Sequence, residues 1–293
     1  MHRKPFFVVG VQRSGTTVLR LMLNKHPRIA VPFETDFLQI LPLAESIGPL
    51  GERANQRVVL EALAKEPFTA KGEILTDVDA VLRHRIGSFG ELVAAVFDEW
   101  CTARGKPRWG VKTPGYVTEM DTLALHFPEA LFIHIVRDGR DVLLSNKGLS
   151  WGSKRLPRVA RDWRFKTLLG RKMGRMLGEQ RYLELRYEDL IRAPREELRR
   201  ICAFLGEDYA PVMLTYHEDA EREMPATSLQ WHRSSVSRPD ASKVFAWQRQ
   251  MSLADAILFD EYAGDALALF GYERVQRSPT LLTRLKHTYY TAF

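Results

Sequence analysis

The sequence predicts an α/β fold in which a central parallel β-sheet is flanked by helices, and three observations carry that prediction. Residues Phe6 to Glu34 run as a short β-branched and aromatic segment, a Gly10-x4-Gly15 turn, and a helical pattern that stops before Pro27. Short strand-like runs then alternate with helical stretches, the order that builds a parallel sheet through crossovers. Residues with chemistry to offer, Glu34, Lys112, Arg137 and Tyr187, fall at or just after those runs, on the strand ends where α/β sheets gather ligands.

The first unit is an anion cradle. Glycines let the backbone approach a phosphate, and the first amides of the following helix have no intrahelical partner and sit at its positive end. The loop reads Gln12-Arg13-Ser14-Gly15-Thr16-Thr17, with the spacing of a triphosphate-binding loop but Thr16 where such a loop carries its lysine. A ligand with one phosphate at this position suits it better than a triphosphate.

Arg28 to Pro32 is a short second strand ending near Glu34. From 36 to 105 the chain is helical in pieces, Phe37 to Ala44, Ala54 to Ala64, Val78 to Arg85 and Glu91 to Ala103, with breaks at Gly48-Pro49, Pro67 and Gly87 to Gly90. This is long for a crossover and reads as an insertion over the acceptor side. Arg108 to Lys112 is a third strand, and Leu131 to Val136 the most apolar one. His134 inside it is expected to be packed and hydrogen-bonded rather than reactive. Asp138 and Asp141 cap and orient the helix that carries Ser145, and Arg140 is expected to be solvated or paired at the surface. Pro157 to Gln180 is a basic amphipathic helix, Tyr182 to Arg186 a fifth strand, and Pro194 to Leu205 a helix with a marked start and stop. Residues 224–243, MPATSLQWHRSSVSRPDASK, show little periodicity and read as a functional loop. Ser252 with Asp255 three positions on resembles a helix-capping arrangement within a helical tail of 252–293.

The strings Arg13-Ser14-Gly15-Thr16-Thr17 and Arg137-x7-Ser145, in this order, resemble the sulfotransferases that use 3′-phosphoadenosine-5′-phosphosulfate (PAPS). That family's loop for the 5′-phosphosulfate reads (K/R)-x-G-T-T, and its 3′-phosphate element has an Arg at a strand end and a Ser eight residues later. The nearest flavour is the tyrosylprotein branch, because RSGTT, His26-Pro27 and Glu34 fall at like intervals. The resemblance implies a phosphate-loop, nucleotide-kinase-like fold in one domain spanning 1–293, and transfer of a sulfuryl group from PAPS to an acceptor hydroxyl, leaving 3′-phosphoadenosine 5′-phosphate (PAP), with no metal required.

By the same resemblance, Ser14, Gly15, Thr16 and Thr17 hold the 5′-phosphate. Arg13 binds there too and, with Lys112, neutralises the bridging oxygen. Arg137 and Ser145 take the 3′-phosphate, Tyr187 lies near the nucleotide, and Ser234, Ser235, Ser237, Arg238 and Lys243 are available from the covering loop. Glu34 matches the general base, with His217 and His232 as reserves. Asp36 stands where the tyrosylprotein branch has a basic residue that binds acidic peptides, so carbohydrate, lipid-linked and small-metabolite acceptors stand beside peptide tyrosine.

Composition agrees with an anionic ligand. Lys and Arg number 43 against 36 Asp and Glu, a net charge of +7. Nucleic acid would fit that sign, but there is no long basic run, zinc spacing or aromatic RNA signature, so no nucleic acid is expected. A phosphate-loop kinase is the other competing class, opposed by Thr16. Cys101 and Cys202 read as buried thiols rather than a disulfide or metal set. No segment approaches the roughly 18 to 20 apolar residues of a membrane span, and a cytoplasmic protein is expected. The tail from Thr280 to Phe293 mixes basic, leucine and aromatic residues. It suits packing on the domain or on another subunit, or resting on a membrane surface.

Overall fold

The computed structural model describes residues 4–149 and 152–275. Among these, β1 (Phe6–Gly10), β2 (Ile29–Ala30), β3 (Arg108–Lys112), β4 (Leu131–Val136) and β5 (Tyr182–Arg186) form a sheet in the order β2-β3-β1-β4-β5, with every pairing parallel. The expected fold class is the observed one. β1 lies between β3 and β4, so the chain leaves it first toward one edge and later toward the other. The crevice at its C-terminal end is the switch point where such sheets bind ligands.

Register decides which side chains meet there. Val8 pairs with Lys112, Gly10 with Ile135, and Val136 with Arg186. Lys112, Arg137 and Tyr187 therefore emerge from neighbouring strands beside the loop that follows β1. β1 to β4 are buried on both faces, as a sheet covered by helices requires, while the edge strand β5 buries only Leu185 fully. Phe7, Val9 and Phe132 join one core cluster, and Phe6, Val8, Ile133 and Ile135 another.

The helices follow in order. α1 (Thr16–Asn24) lies after the cradle, and α2 (Leu41–Ser46), α3 (Arg53–Lys65), α4 (Pro67–Lys71), α5 (Val78–Val81) and α6 (Phe89–Thr102) form the insertion. α6 buries Phe89, Leu92, Val93, Val96, Phe97 and Trp100, and Phe97 stacks on Trp109 of β3 at 4.9 Å. Pro67, read from the sequence as a helix break, marks the end of α3 at Lys65 and starts the next helix, α4. Its missing N–H costs nothing in a first turn, and Glu66 accepts from Phe68 N and Thr69 N.

α7 (Met120–His126), α8 (Gly139–Lys147), α9 (Leu156–Leu177), α10 (Tyr187–Arg192) and α11 (Pro194–Leu205) complete the crossovers around β4 and β5. As expected, His134 is packed and hydrogen-bonded, its Nδ1 lying 2.7 Å from Tyr182 Oη, and Asp138 caps α8 through Arg140 N. Two expectations need correction. Residues 224–243 are not a loop throughout, because α12 (Ala226–Val236) occupies most of the segment. Its serines lower intrinsic propensity, but Leu229 and Val236 pack into the same cluster as α1, and tertiary contact overrides propensity.

Arg140 is not at the surface. It is fully buried, bidentate to Asp138 at 3.0 and 2.8 Å, 3.4 Å from Asp260, and 3.6 Å over the Trp247 ring. Trp247 and Asp260 come from α13 (Trp247–Gln250) and α14 (Leu253–Leu269), which fold back over α8 from more than a hundred positions away. Ser252 caps α14 by accepting from Asp255 N, as its spacing suggested. The remainder of the expected tail, Thr280 to Phe293 included, lies outside the described residues. No helix among the described residues is long and apolar enough to cross a membrane.

Candidate active site

The cradle is a loop held open by backbone conformation. Ser14 N donates to Val11 O at 3.1 Å, Arg13 takes a left-handed φ of 71°, and Gly15 a φ of 92°. A Cβ on Gly15 would stand 2.2 Å from Cδ2 of Tyr187, so only glycine fits against that ring. No side chain caps the start of α1, whose Thr16 and Thr17 are buried. Ser14 is wholly buried, and its Oγ has no hydrogen-bond partner. A buried hydroxyl without a partner is costly unless something fills the site.

Arg137, at the end of β4, closes the other side. It donates from Nη1 to Arg13 O at 3.2 Å and from Nη2 to Lys243 O at 3.0 Å, and lies 4.6 Å over the Tyr187 ring. Its Nε is buried and unpartnered. The Arg13 side chain turns toward the same place, donating from Nε to Ser145 Oγ at 3.0 Å and from Nη2 to Trp231 O at 3.1 Å. Burial first, and then the charge of Arg137, hold the Arg13 guanidinium below its ordinary proton affinity. Asp141 Oδ2 is the nearby counter-charge, 3.7 Å from Arg137. Two close guanidiniums and unpartnered donors make a site that an anion would complete.

A second group lies on the β3 side of β1. Lys112, wholly buried, donates from Nζ to Glu34 Oε1 and stands 4.9 Å from the centre of the Phe33 ring. Burial lowers the proton affinity of Lys112, against the opposing effect of Glu34, and Arg13 is close enough to add to the lowering. Glu34 keeps about a quarter of its side chain accessible, 23%. His232 of α12 meets the Phe33 ring edge-on at 5.8 Å. Burial, and then Lys112 and Arg13, push its imidazole down to about 3, so it stands there neutral.

The structure thus brings Arg13, Ser14, Gly15, Thr16, Thr17, Arg137, Ser145 and Tyr187 around one crevice, with Glu34, Lys112 and His232 adjoining. His217 and Arg238 bond to each other instead, Nε to Nε2 at 3.0 Å. Ser235 lies on α12, and the Ser234 side chain is outside the described residues. Missed from the sequence was Arg20, buried on α1, whose Nε donates to Val31 O and Pro32 O just before Glu34. Its signal was an arginine inside the apolar run VLRLML, where charge survives only if paired. The carbonyls of Trp231 and Lys243 could not have been assigned by residue type at all.

The profile of the Sulfotransferase family matches residues 5–211. The nodulation protein NoeE of Sinorhizobium fredii is 24% identical over 290 residues, covering 92% of this chain and 66% of its own length. A protein-tyrosine sulfotransferase of Drosophila melanogaster is 24% identical over 284 residues, covering 93% and 52%. The chain therefore spans less than two thirds of either relative. Among solved structures, the sulfotransferase domain of the Synechococcus PCC 7002 olefin synthase superposes with a TM-score of 0.66 at 24% identity, over 94% of this chain and 97% of that one. The sulfotransferase domain of the curacin biosynthetic pathway gives 0.64 at 19%, over 93% and 99%.

Proposed function

The chain belongs to the sulfotransferase family, and from that premise we propose that it transfers a sulfuryl group from PAPS to an acceptor hydroxyl. One observation carries the reading: two guanidiniums and the unpartnered Ser14 Oγ and Arg137 Nε converge beside a carboxylate–lysine pair. The anionic crevice ligand and the proton acceptor are then neighbours, as a transfer between them requires.

The residues present fit the nucleotide. Ser14, Thr16, Thr17 and the α1 amides would hold the 5′-phosphate, and Arg137 with Ser145 the 3′-phosphate, beside Tyr187. The nucleotide supplies the sulfuryl group and a phosphate that departs with the electron pair of the broken S–O bond. Arg13 lies within electrostatic reach of both Arg137 and Lys112, and with Lys112 it would stabilise that growing charge. Glu34 takes the hydroxyl proton as the acceptor oxygen bonds to sulfur.

The acceptor side is acidic rather than basic. Asp36 has its proton affinity raised by burial first and further by Glu66 and Glu34. This favours a neutral carbohydrate, lipid-linked or small-metabolite hydroxyl over an acidic tyrosine peptide. Supply of the donor favours the cytoplasm as the place of reaction. Incubation with sulfur-labelled PAPS and sugar, lipid-linked, metabolite and tyrosine-peptide acceptors tests the proposal. Label in a hydroxyl acceptor supports it, and PAPS left intact in every mixture refutes it.

A further inference from the structure

Glu34 does not stand on the sheet. The ladder of β2 ends at Ala30, which pairs with Trp109, and the backbone beyond it has no strand partner. Side chains carry it instead. Asn24 Oδ1 accepts from Val31 N at 2.8 Å, and Arg20 Nε donates to Val31 O at 2.9 Å and Pro32 O at 3.1 Å. Thr113 Oγ1 donates to Thr35 O at 2.6 Å. Arg20 and Asn24 are one turn apart on α1 and so share a face.

Both of those α1 side chains are tied to Glu223. Arg20 Nη1 lies 3.2 Å from Glu223 O and 3.2 Å from its Oε2, and Asn24 Nδ2 donates to the same Oε2 at 2.7 Å. Glu223 stands three residues before α12, the helix whose Trp231 carbonyl accepts from Arg13 and whose His232 meets Phe33. A buried guanidinium needs its partners, and burial, partly offset by Glu223 and Glu34, brings Arg20 down to about 10.

We infer that Arg20 and Glu223, with Asn24 between them, form a positioning unit that fixes the chain bearing Glu34 and couples it to the α12 segment covering the donor crevice. The inference rests on the sulfotransferase reading for its kinetic consequence but not for its mechanical one. If α12 is seated, Glu223 holds Arg20 and Arg20 holds the backbone under Glu34. If the link is cut, the donor pocket persists while the carboxylate loses its fixed place. Misplacement of this kind costs rate and not donor affinity.

The test uses the full chain with Glu223→Ala, Arg20→Lys and Glu223→Gln. Expected for the first two is a fall in kcat of about 30- to 100-fold, with the Kd for PAP within about twofold of wild type. Glu223→Gln keeps an acceptor oxygen at the same reach and is expected to recover most of the lost kcat. Amide hydrogen exchange at Val31 supplies a readout without turnover, expected to rise at least about tenfold in Glu223→Ala. An unchanged kcat, a loss of PAP affinity in proportion to kcat, or unchanged exchange at Val31 would each overturn the unit. If the wild type transfers no sulfuryl group, the functional reading fails while the exchange experiment still decides the mechanical link.

Discussion

Lys112 Nζ donates to Glu34 Oε1 across 78 positions of sequence, from the end of β3 to the chain leaving β2. The lysine is buried and the carboxylate reaches solvent, so the pair keeps its cation inside and opens on its carboxylate side. Such an arrangement holds a base in place while leaving it accessible.

Glu34→Gln tests the proposed base: it keeps the shape of that pair but cannot take a proton, and kcat is expected to fall by about 10²–10⁴ while the Kd for PAP stays put. Lys112→Met should lower kcat and also weaken PAP, because the lysine is placed beside the phosphate that departs. Steady-state kinetics beside calorimetric titration with PAP check both, and sulfation by Glu34→Gln at wild-type rate would remove it as the base.

Arg137 separates binding from chemistry. Truncation to Ala strips the crevice of one guanidinium and frees the Arg13 and Lys243 carbonyls that it now engages. The Kd for PAP is expected to rise about 10- to 100-fold, the range for losing a charge-assisted contact of about 1.5–3 kcal/mol. Because Arg137 also supports the Arg13 backbone, Arg13→Ala and Arg137→Ala should combine less than additively. Full additivity in titration would show that the two act independently and that Arg137 does not set the Arg13 backbone.

At Gly15 the constraint is steric. Alanine there meets the Tyr187 ring at 2.2 Å and must adopt a φ of 92°. A loss of about 1–3 kcal/mol in stability is expected from the backbone strain, along with loss of PAP binding. Tyr187→Ala added to Gly15→Ala relieves the clash but not the φ, so thermal melts should recover only in part. Full recovery would place the whole cost in the ring contact.

Glu188 predicts a pH dependence. It is fully buried, accepts from Asp138 N at 3.0 Å and Tyr272 Oη at 2.9 Å, and burial raises its carboxyl to about 7. A folded pKa above the unfolded value of 4.5 gives a contribution fully present below pH 4.5 and lost as pH rises through about 7. His134 works the other way: burial lowers it to about 4, so its contribution is present above 6.5 and lost as pH falls through 4. Glu188→Gln should therefore flatten the decline in melting temperature between pH 5 and 8 and leave the acid limb intact. A decline of equal slope in the variant would reassign it to another group.

Much of the site is legible in short stretches of sequence. The cradle string, Arg137 with Ser145 and the position of Glu34 are local patterns, each tied to the end of a run whose periodicity marks it as a strand. Arg140 shows why other residues escape such a reading. Its neighbourhood in sequence looks like an exposed helix start, and the Trp247 and Asp260 that bury it arrive only when α13 and α14 pack over α8. The helix over 226–236 is hidden for a related reason: its stability comes from packing on the α1 side of the sheet, and its own residues favour no regular structure strongly.

The amino-acid order alone sets the succession of strands and helices and the residues that arrive at strand ends, because hydrophobic period, glycine and proline act over a few residues. It does not say that Lys112 reaches Glu34, that Arg13 turns to Ser145, or that Glu223 grips Arg20 across 203 positions. Those pairings depend on which strands become neighbours and on where buried charges find partners, and both are settled only when the whole core closes.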